Sequence, residues 1–507
     1  MCVHLFATVI NDEKTFKTFP YNAYSSREVN GMDDVKSVDG LILYIKKTFH
    51  NSVDLVVEEI EWQDNPAVIC YFSVMNEAAL VNKELELIRN RASEGLVKWG
   101  DTAASTVHAF SVPTLIDSVV TGSVAVVFPY TNLLLKITIP KIPVRSITEP
   151  DNEHVIRGQH EGFVEALDMN IGLVRKHLAI PDLVVKSIHL GSDTNTRVSY
   201  VYIESIADEE VVNEMKKRLE NIGLDKVWGT GPIEDYLEDS VWSPFPQFLN
   251  TERPDRVVAN LLEGKIAVFS NSSPTALIAP VNFFSFYESP DDYNGRVLVG
   301  SFYRLLRLIS FIAAIFLPAF YIAVVSFHSE IIPVELGKQV MMAVNDIPYR
   351  PIFEALILEL FIELIRESAI RLPTPIGQTI GIVGGLVIGN AIVDAGLVSN
   401  FMVIVVAMTA ISSFVVPSWE MNMSIRLIRF PFMIAAALFG FFGMAIGTLI
   451  LFIHLLNLSS LKQPYFTPIV PFDPSRFKDV FFRIPFVRMS KQQKTFTHGA
   501  DKEGGER

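Results

Sequence analysis

The sequence predicts an α/β cytosolic region of two related lobes followed by an α-helical polytopic membrane domain. Two observations carry this prediction. Before Val297 the apolar runs are short, are interrupted by charges, and alternate between the periodicity of strands and that of helices. After Arg307 the apolar runs become long enough to cross a bilayer. Half of the 507 residues are hydrophobic, and this surplus is concentrated in the second part.

The region before Pro150 shows an alternating α/β pattern. The predicted elements are helices at 38–49 and 77–91 and strands at 53–60, 67–74, 122–128 and 132–139. Pro140, Pro143 and Pro150 then mark a linker, because proline interrupts both helices and strands.

A similar order of elements returns after the linker. The predicted elements are helices at 159–177, 208–222 and 254–263 and strands at 183–190, 197–203 and 264–269. The segment VVTGSVAVVF, which ends at Phe128, matches LLEGKIAVFS, which ends at Ser270, at the glycine and at the Val/Ile-Ala-Val core. This match favours a duplicated lobe over two helix–glycine–strand units that are alike by physics alone.

Four long apolar runs come next. They are 308–327 with 20 residues, 372–393 with 22, 395–419 with 25 and 430–461 with 32. A hydrocarbon core about 30 Å thick needs roughly 20 apolar residues in a helix. Buried helices of soluble proteins have shorter apolar runs, so we expect these four to be membrane spans.

The segment 352–372, IFEALILELFIELIRESAIRL, carries six charges in 21 residues although its other residues are strongly apolar. On a helical wheel most of these charges share one stripe of about 140°, and Glu354 lies opposite. This charged stripe consists of Glu359, Glu363, Arg366, Glu367 and Arg371. Charges at membrane depth are costly unless they face protein or water. The helix therefore either lies at the interface or lines a polar pathway, and internal Glu–Arg pairing fits both.

The distribution of Lys and Arg leaves the topology open. Basic residues precede the first run and fill the tail at 461–494, so both ends are expected inside. Four crossings satisfy this but place Arg426 and Arg429 outside. Five crossings, with 352–372 as a span, place these arginines inside but export the tail. The last run is also long enough to bend back on itself.

The sequence predicts no enzyme, no cofactor and no metal site. It has no phosphate loop, no HExxH motif and no nucleophile elbow. The pair Asp291-Asp292 fits a solvated loop better than a cation site. The net charge of −13 argues against nucleic acid as a partner, and two cysteines give no disulfide framework. No secretory signal is recognisable, so the leading region is expected in the cytoplasm.

Several motifs are distinctive when taken together. They are EHVIRG at 153–158, EGFVE at 161–165, NIGLVR at 170–175, TERPD at 251–255, DDY at 291–293, LPAFY at 317–321, ELIRE at 363–367 with RLP at 371–373, IVGGLVIG at 382–389 and QPY at 463–465. With these motifs the chain resembles the A subunits of GerA-type spore germinant receptors. The family-motif residues singled out are Arg157, Gly158, Glu161, Gly162, Thr251, Glu252, Arg253, Pro254 and Asp255.

The resemblance implies a multi-pass protein of the bacterial cell membrane, in the spore inner membrane and in contact with its lipid. It implies a complex with a transporter-like B subunit, which carries nutrient recognition, and a lipoprotein C subunit. It also implies a homo-oligomer of A subunits that conducts monovalent cations and releases ions to trigger germination. The charged stripe is then the candidate pore lining. The alternative is a non-conducting membrane scaffold that relays signals.

The predicted domains are based on these patterns. Residues 1–30 form a variable N-terminal segment, 31–150 the first α/β lobe, 151–295 the second lobe, 296–461 the transmembrane helical domain and 462–507 a basic cytosolic tail.

We expect residues 31–295 to express as a soluble fragment without hydrolase activity, because their α/β patterning and apolar content suffice for a core of their own. Size-exclusion chromatography and a nucleotide-turnover assay check this expectation. A fragment recovered only as aggregate, or one that hydrolyses nucleotide, contradicts it.

Overall fold

The computed structural model describes residues 37–62, 65–93, 105–139, 158–289, 291–292, 295–372, 389–472 and 480–483, with the single residues 150, 153, 155 and 385. They form two compact units. The first holds the described residues up to Leu237 together with Asn250–Ala279, and the second holds Glu238–Leu249 and the described residues from Pro280 onward. The predicted segment 1–30, the linker prolines Pro140 and Pro143, most of the run 372–393 and most of the tail lie outside the described residues.

The first unit contains two five-stranded sheets. The first sheet has the strand order β1-β2-β4-β5-β3. Its strands are β1 Leu55–Trp62, β2 Asn65–Phe72, β3 Ser105–Ala109, β4 Val124–Phe128 and β5 Leu133–Ile137, and its helices are α1 Val38–Thr48, α2 Ala78–Ser93 and α3 Val112–Val120. Helices α1 and α3 cover one face of the sheet and α2 covers the other. Strand β2 is accordingly apolar almost throughout, as expected for a strand buried on both faces.

The second sheet has the order β6-β7-β9-β10-β8, which repeats that of the first sheet strand for strand. Its elements are α4 Leu167–His177, β6 Leu183–Leu190, β7 Thr196–Ile203, α5 Glu209–Glu220, α6 Gly231–Leu237, β8 Leu249–Thr251, α7 Pro254–Leu262, β9 Ile266–Ser270 and β10 Ala276–Ala279. The glycines that align in the two repeated segments, Gly122 and Gly264, both have a positive φ, of 85° and 86°. Each begins the turn into a buried strand at a position that favours glycine.

The predicted strands and helices of the first unit are confirmed to within a few residues, with one error. The helix predicted at 159–177 begins only at Leu167. The segment before Leu167 is not helical, because its backbone forms a hydrogen bond outside any helix: the N–H of Phe163 donates to the Glu252 carbonyl at 2.8 Å. Five short elements were not predicted, namely β3, α3, α6, β8 and β10.

A buried ion pair joins the two sheets of the first unit. Arg175 on α4 and Asp54 before β1 are 2% and 4% exposed in their side chains. Arg175 donates from Nε and Nη2 to the Asp54 carboxylate, the second bond being 2.8 Å, and from Nη2 to the Leu183 carbonyl at 3.1 Å. Its guanidinium also lies 3.7 Å from the centre of the Phe72 ring. Because both charges are buried and well hydrogen-bonded, each requires the other.

Backbone contacts surround this ion pair. The N–H of Val53 donates to the Val185 carbonyl at 3.0 Å, and the N–H of Val185 donates to Ser52 Oγ at 3.0 Å. His50 lies 3.4 Å from Asp182, and its hydrogen bond to that carboxylate raises the pKa of the imidazole. The two lobes are thus joined by polar contacts of specific geometry.

Replacing Arg175 with Met tests this joint. The change leaves the Asp54 carboxylate buried without its cation, so we expect the free energy of unfolding to fall by about 3–5 kcal/mol. Arg197→Met is the matched control, because Arg197 pairs with Asp168 at the surface and exposed pairs contribute at most about 1 kcal/mol. Urea unfolding of the 31–295 fragment measures both variants, and equal losses would contradict a special role for Arg175.

The second unit is helical. Its described helices include α8 Val297–Phe327, α9 Val334–Asn345, α10 Pro351–Arg371, α11 Asn400–Phe414 and α12 Trp419–Asn457, followed by a short hairpin of β11 Ser459–Ser460 and β12 Gln463–Pro464. Among the described residues, two helices are long and apolar enough to cross a membrane, α8 and α12. The predicted helix at 352–372 is confirmed as α10.

Helix α12 folds back on itself at Gly440, whose φ of 60° and ψ of −139° interrupt the helical backbone. A Cβ on Gly443 would overlap the Ala435 carbonyl oxygen, and one on Gly447 would lie 3.0 Å from the Phe432 ring. Residues 15 apart in a straight helix are separated by about 22 Å, so these contacts require a helical hairpin. The bend that the sequence left open is therefore present.

A loop before β8 holds the two ends of this hairpin together. Ser424, on the first arm, donates to the Pro244 carbonyl, and Ser243 Oγ lies 2.9 Å from His454 Nε2 on the second arm. Ser243 and Pro244 are consecutive, so the start and the end of α12 lie on the same side of the unit.

Two predicted runs differ from the observed helices. The run 395–419 forms only the 15-residue helix α11, because Ser399 caps its start and the helix ends before Pro417. The run 430–461 belongs to a helix that begins at Trp419, since Arg426 and Arg429 find partners inside the unit and do not terminate it.

The predicted solvated loop at 291–292 is also wrong for Asp292. This side chain is fully buried and accepts hydrogen bonds from Arg307 Nη1 at 2.6 and 2.8 Å, with Arg304 Nε at 3.3 Å. Two arginines that precede the first apolar run thus converge on one carboxylate, which explains its burial.

Gly443→Val tests the hairpin. The added side chain meets the Ala435 carbonyl, and overpacking of this kind costs about 1–3 kcal/mol. We expect a lower melting temperature of the purified full-length chain. Gly389→Val is the control, because a Cβ at Gly389 has no neighbour within 4 Å among the described residues. A straight α12 would leave both variants equally stable.

Candidate functional site

The charged helix α10 packs against the other helices of the second unit through part of its charged stripe. Its first turn contains Pro351 at a position where a helix needs no N–H. From there the sequence places one acidic residue at Glu359 and the next at Glu363, one helical turn later. The structure gives the five residues of the stripe three different environments.

Glu359 is buried and bound within the chain. Its side chain is 1% exposed and forms an ion pair with Arg429 of α12, whose side chain is 2% exposed. Arg429 Nε also donates to the Ala314 carbonyl of α8 at 2.9 Å. This one arginine therefore connects α8, α10 and α12.

Glu363 lies at the edge of the same cluster with its side chain 29% exposed. Its Oε2 accepts a hydrogen bond from Arg426 Nη1 at 2.7 Å, and its Oε1 lies 3.8 Å from Arg366 Nη1. The guanidinium of Arg366 lies 4.3 Å from the centre of the Phe414 ring, and that of Arg426 lies 6.0 Å from the Trp419 ring. Aromatic faces attract cations and supplement the single carboxylate that these two arginines share.

Glu367 and Arg371 are exposed and pair with each other. Arg371 donates to Glu367 Oε1 from Nε at 2.9 Å and from Nη2 at 2.5 Å, with the two side chains 59% and 77% exposed. Glu354, on the opposite side of α10, is fully buried, and its Oε2 accepts from the N–H of Ser399 at 2.9 Å. That bond places a carboxylate at the N-terminus of α11, where a helix favours negative charge.

Five residues thus form a cluster that we call the charge ladder: Glu359, Glu363, Arg366, Arg426 and Arg429. Sequence reasoning missed the two arginines of α12, which it treated only as a topological difficulty. Their spacing of three residues places them on one helical face, as the spacing of four does for Glu359 and Glu363. Two acidic residues one turn apart on one helix and two arginines one turn apart on another are the sequence signal that predicts such ion pairs.

The family-motif residues form a second polar cluster in the first unit. Arg253 is 1% exposed and binds Asp255 with Nε and Nη2, at 3.0 and 2.6 Å. It also donates to the carbonyls of Glu153 and Gln159, at 3.2 and 3.1 Å. Thr251 donates to the Glu153 carboxylate. The TERPD motif therefore holds Glu153 and Gln159 in place.

The other described residues of the family motifs form ion pairs or backbone contacts, or lie at turns and helix ends. Glu161 lies 2.7 Å from Lys176 and 3.1 Å from His177, at the end of α4. Partial burial opposes ionisation of this carboxyl, but the two basic neighbours outweigh it and lower its pKa. Gly158 has a φ of 147°, Gly162 lies in the non-helical stretch before α4, and the Glu252 carbonyl accepts from Phe163. Pro254 begins α7, and Arg157 lies outside the described residues.

The described residues include no group of three His, Cys, Asp or Glu side chains arranged to hold a metal ion. Both polar clusters consist of carboxylates that are neutralised by arginines. Ion pairs of this kind hold helices and loops in position. They can also break or rearrange when the local charge changes.

The chain is similar to known spore germination proteins. Residues 43–495 match the family described as Bacillus/Clostridium GerA spore germination protein. The chain is 37% identical to the spore germination protein GerQA of Bacillus cereus over 464 residues, covering 91% of this chain and 92% of that protein. It is 36% identical to the spore germination protein A1 of Bacillus subtilis (strain 168), covering 88% and 96%. It is 43% identical over 363 residues to YfkQ of the same strain, an uncharacterized membrane protein, covering 72% and 71%.

Among solved structures, the N-terminal domain of the A subunit of the Bacillus megaterium spore germinant receptor GerK3 is 29% identical. It matches with a TM-score of 0.37 and covers 48% of this chain and 95% of that domain. The family match covers most of the chain, and two relatives above 30% identity, GerQA and A1, are covered over 92% and 96% of their length. The chain therefore belongs to the GerA family of spore germination proteins.

Proposed function

We propose that this chain acts as the A subunit of a nutrient-sensing receptor in the spore inner membrane, and that several copies form a gated channel for monovalent cations. Ion release through this channel would trigger germination. The proposed partners are a transporter-like B subunit and a lipoprotein C subunit, as the resemblance to A subunits implies. Family membership over residues 43–495 supports the receptor role.

The proposed membrane insertion is supported by the two long apolar helices of the second unit. Near the ends of the α12 hairpin, Trp242 is 97% exposed on the loop that contacts Ser424 and His454. Tryptophan is enriched where a membrane meets water, so this position fits the edge of a bilayer. Multi-pass insertion with a cytoplasmic first unit is part of the proposal.

The charged stripe of α10 is the observation that carries the channel. One chain supplies one copy of this helix, and one helix cannot enclose water, so a pore requires several copies around an axis. Glu363 and Glu367 are the carboxylates of the stripe that are partly or largely exposed. Stacked rings of carboxylates attract monovalent cations. Glu359 joins such a pathway only when Arg429 releases it.

A second function is supported by the charge ladder itself. In a membrane scaffold that relays signals without conduction, Glu359 and Glu363 would serve only to hold α10 against α12. Their ion pairs with Arg429 and Arg426 within one chain fit this role. The two functions predict different effects of neutralising the carboxylates.

Glu359→Gln and Glu363→Gln separate channel from scaffold. If the rings conduct, each change alters cation flux or selectivity while the receptor still assembles, because a ring of charge is lost. Liposomes that contain the purified receptor and a monovalent-cation dye measure the flux. Unchanged flux and selectivity at unchanged protein levels would exclude these two carboxylates from the pore lining.

The double variant Glu359→Gln with Arg429→Gln distinguishes a loss of stability from a loss of pore charge. Glu359→Gln alone leaves Arg429 buried and unpaired, at a cost of about 3–5 kcal/mol, whereas the double variant removes both charges. A structural role predicts that assembly and flux recover together in the double variant. A pore-lining role predicts that assembly recovers while selectivity stays altered. Lys338→Gln, an exposed charge on α9 outside the stripe, is the control for a charge change alone.

A further inference from the structure

The charge ladder contains one more cation than anion. Three guanidinium groups, those of Arg366, Arg426 and Arg429, face two carboxylates, Glu359 and Glu363. The arginine side chains are between 2% and 10% exposed, so water does not screen the excess charge effectively. A net charge of one unit is thus left inside a helical unit of low polarity, which is costly unless a counter-charge is present.

The arginines also have unused hydrogen-bond donors. Arg366 Nη1, Arg426 Nε and Arg429 Nη2 are buried and lack a hydrogen-bond acceptor among the described residues. Among the described residues, Arg426 Nε and Arg429 Nη2 have no acceptor within hydrogen-bond distance, and Arg366 Nη1 has only Glu363 Oε1 at 3.8 Å. Glu359 Oε1 likewise has no donor, so a rotation that paired it with Arg429 would satisfy one of these nitrogens but would leave the excess positive charge. Buried donors of charged groups rarely remain unsatisfied, so an acceptor at this position is expected.

The nearest other carboxylates on α10 are already engaged. Glu367 accepts both hydrogen bonds from Arg371, and Glu354 lies on the opposite side of the helix at the Ser399 N–H. The rings of Phe414 and Trp419 attract two of the guanidinium groups but carry no net charge. Water molecules would satisfy the donors but leave the charge in place. The missing partner must therefore accept hydrogen bonds and carry a single negative charge.

We propose that the charge ladder binds one small monovalent anion of the chloride type between Arg366, Arg426 and Arg429. A divalent anion would reverse the excess and leave the cluster negative. The anion stabilises the packing of α10 against α12, since it holds the arginines of α12 and Arg366 of α10 together. Binding does not require that the chain conducts cations.

The purified full-length chain in detergent tests the proposal. Its melting temperature is measured in chloride and in gluconate at equal ionic strength, and bound ³⁶Cl⁻ is counted by equilibrium dialysis. We expect a saturable rise of the melting temperature with chloride and one bound anion per chain. Equal melting temperatures in both salts, together with no retained chloride, would overturn the site.

Arg366→Gln provides the sharper comparison, because it makes the ladder neutral without breaking either pair with α12. We expect this variant to lose both the chloride-dependent rise and the bound ³⁶Cl⁻. Arg371→Gln, the exposed arginine one turn further, should retain both. Chloride binding that persists in Arg366→Gln contradicts the proposal. Should that variant fail to fold, anomalous scattering from bromide in the wild-type chain decides: a peak among the three arginines supports the site, and a peak elsewhere or none refutes it.

Discussion

A buried charge needs an opposite charge beside it, and the helical unit is organised around this requirement. Arg429 connects α12 to Glu359 of α10 and to a backbone carbonyl of α8. Removing one partner of such a contact costs more than the contact contributes, because the other charge stays buried. The relative positions of the three helices therefore depend on a few side chains. Any conformational change in this unit must either preserve these pairs or replace the partners.

The same requirement shapes the first unit. Arg175 and Asp54 occupy the joint between two sheets with identical strand order. The strand order alone does not specify how one sheet contacts the other. A buried pair with fixed hydrogen bonds supplies a specific match, and the backbone contacts of Val53 with Val185 extend it. The joint thus fixes one orientation of the lobes where apolar contact alone tolerates several.

The hydrophobic periodicity of the sequence was sufficient to predict the long helices and strands. It could not predict contacts between residues that are far apart in the sequence. Strand β6 was predicted at its observed bounds, because a run of alternating and apolar residues carries its own signal. Short elements such as β8 and α6 have too few residues to show a period. The partner of Glu359 lies 70 residues away on another helix, and no local rule connects them. The bend at Gly440 lies within an uninterrupted apolar run, where a single glycine is a weak signal.

The hairpin in α12 has a consequence for how the chain is built. Its tip is formed by Phe439, Gly440, Phe441 and Phe442, with no polar side chain among them. If the second unit inserts into a membrane as proposed, the hairpin presents an apolar tip to the hydrocarbon, while the two arginines of its first arm stay paired with carboxylates of α10. The β11–β12 hairpin and Tyr465 then emerge beside the loop they contact, where the Tyr465 hydroxyl donates to the Pro246 carbonyl at 2.7 Å. Within the proposed membrane insertion, the hairpin therefore needs no polar loop on the far side of the bilayer.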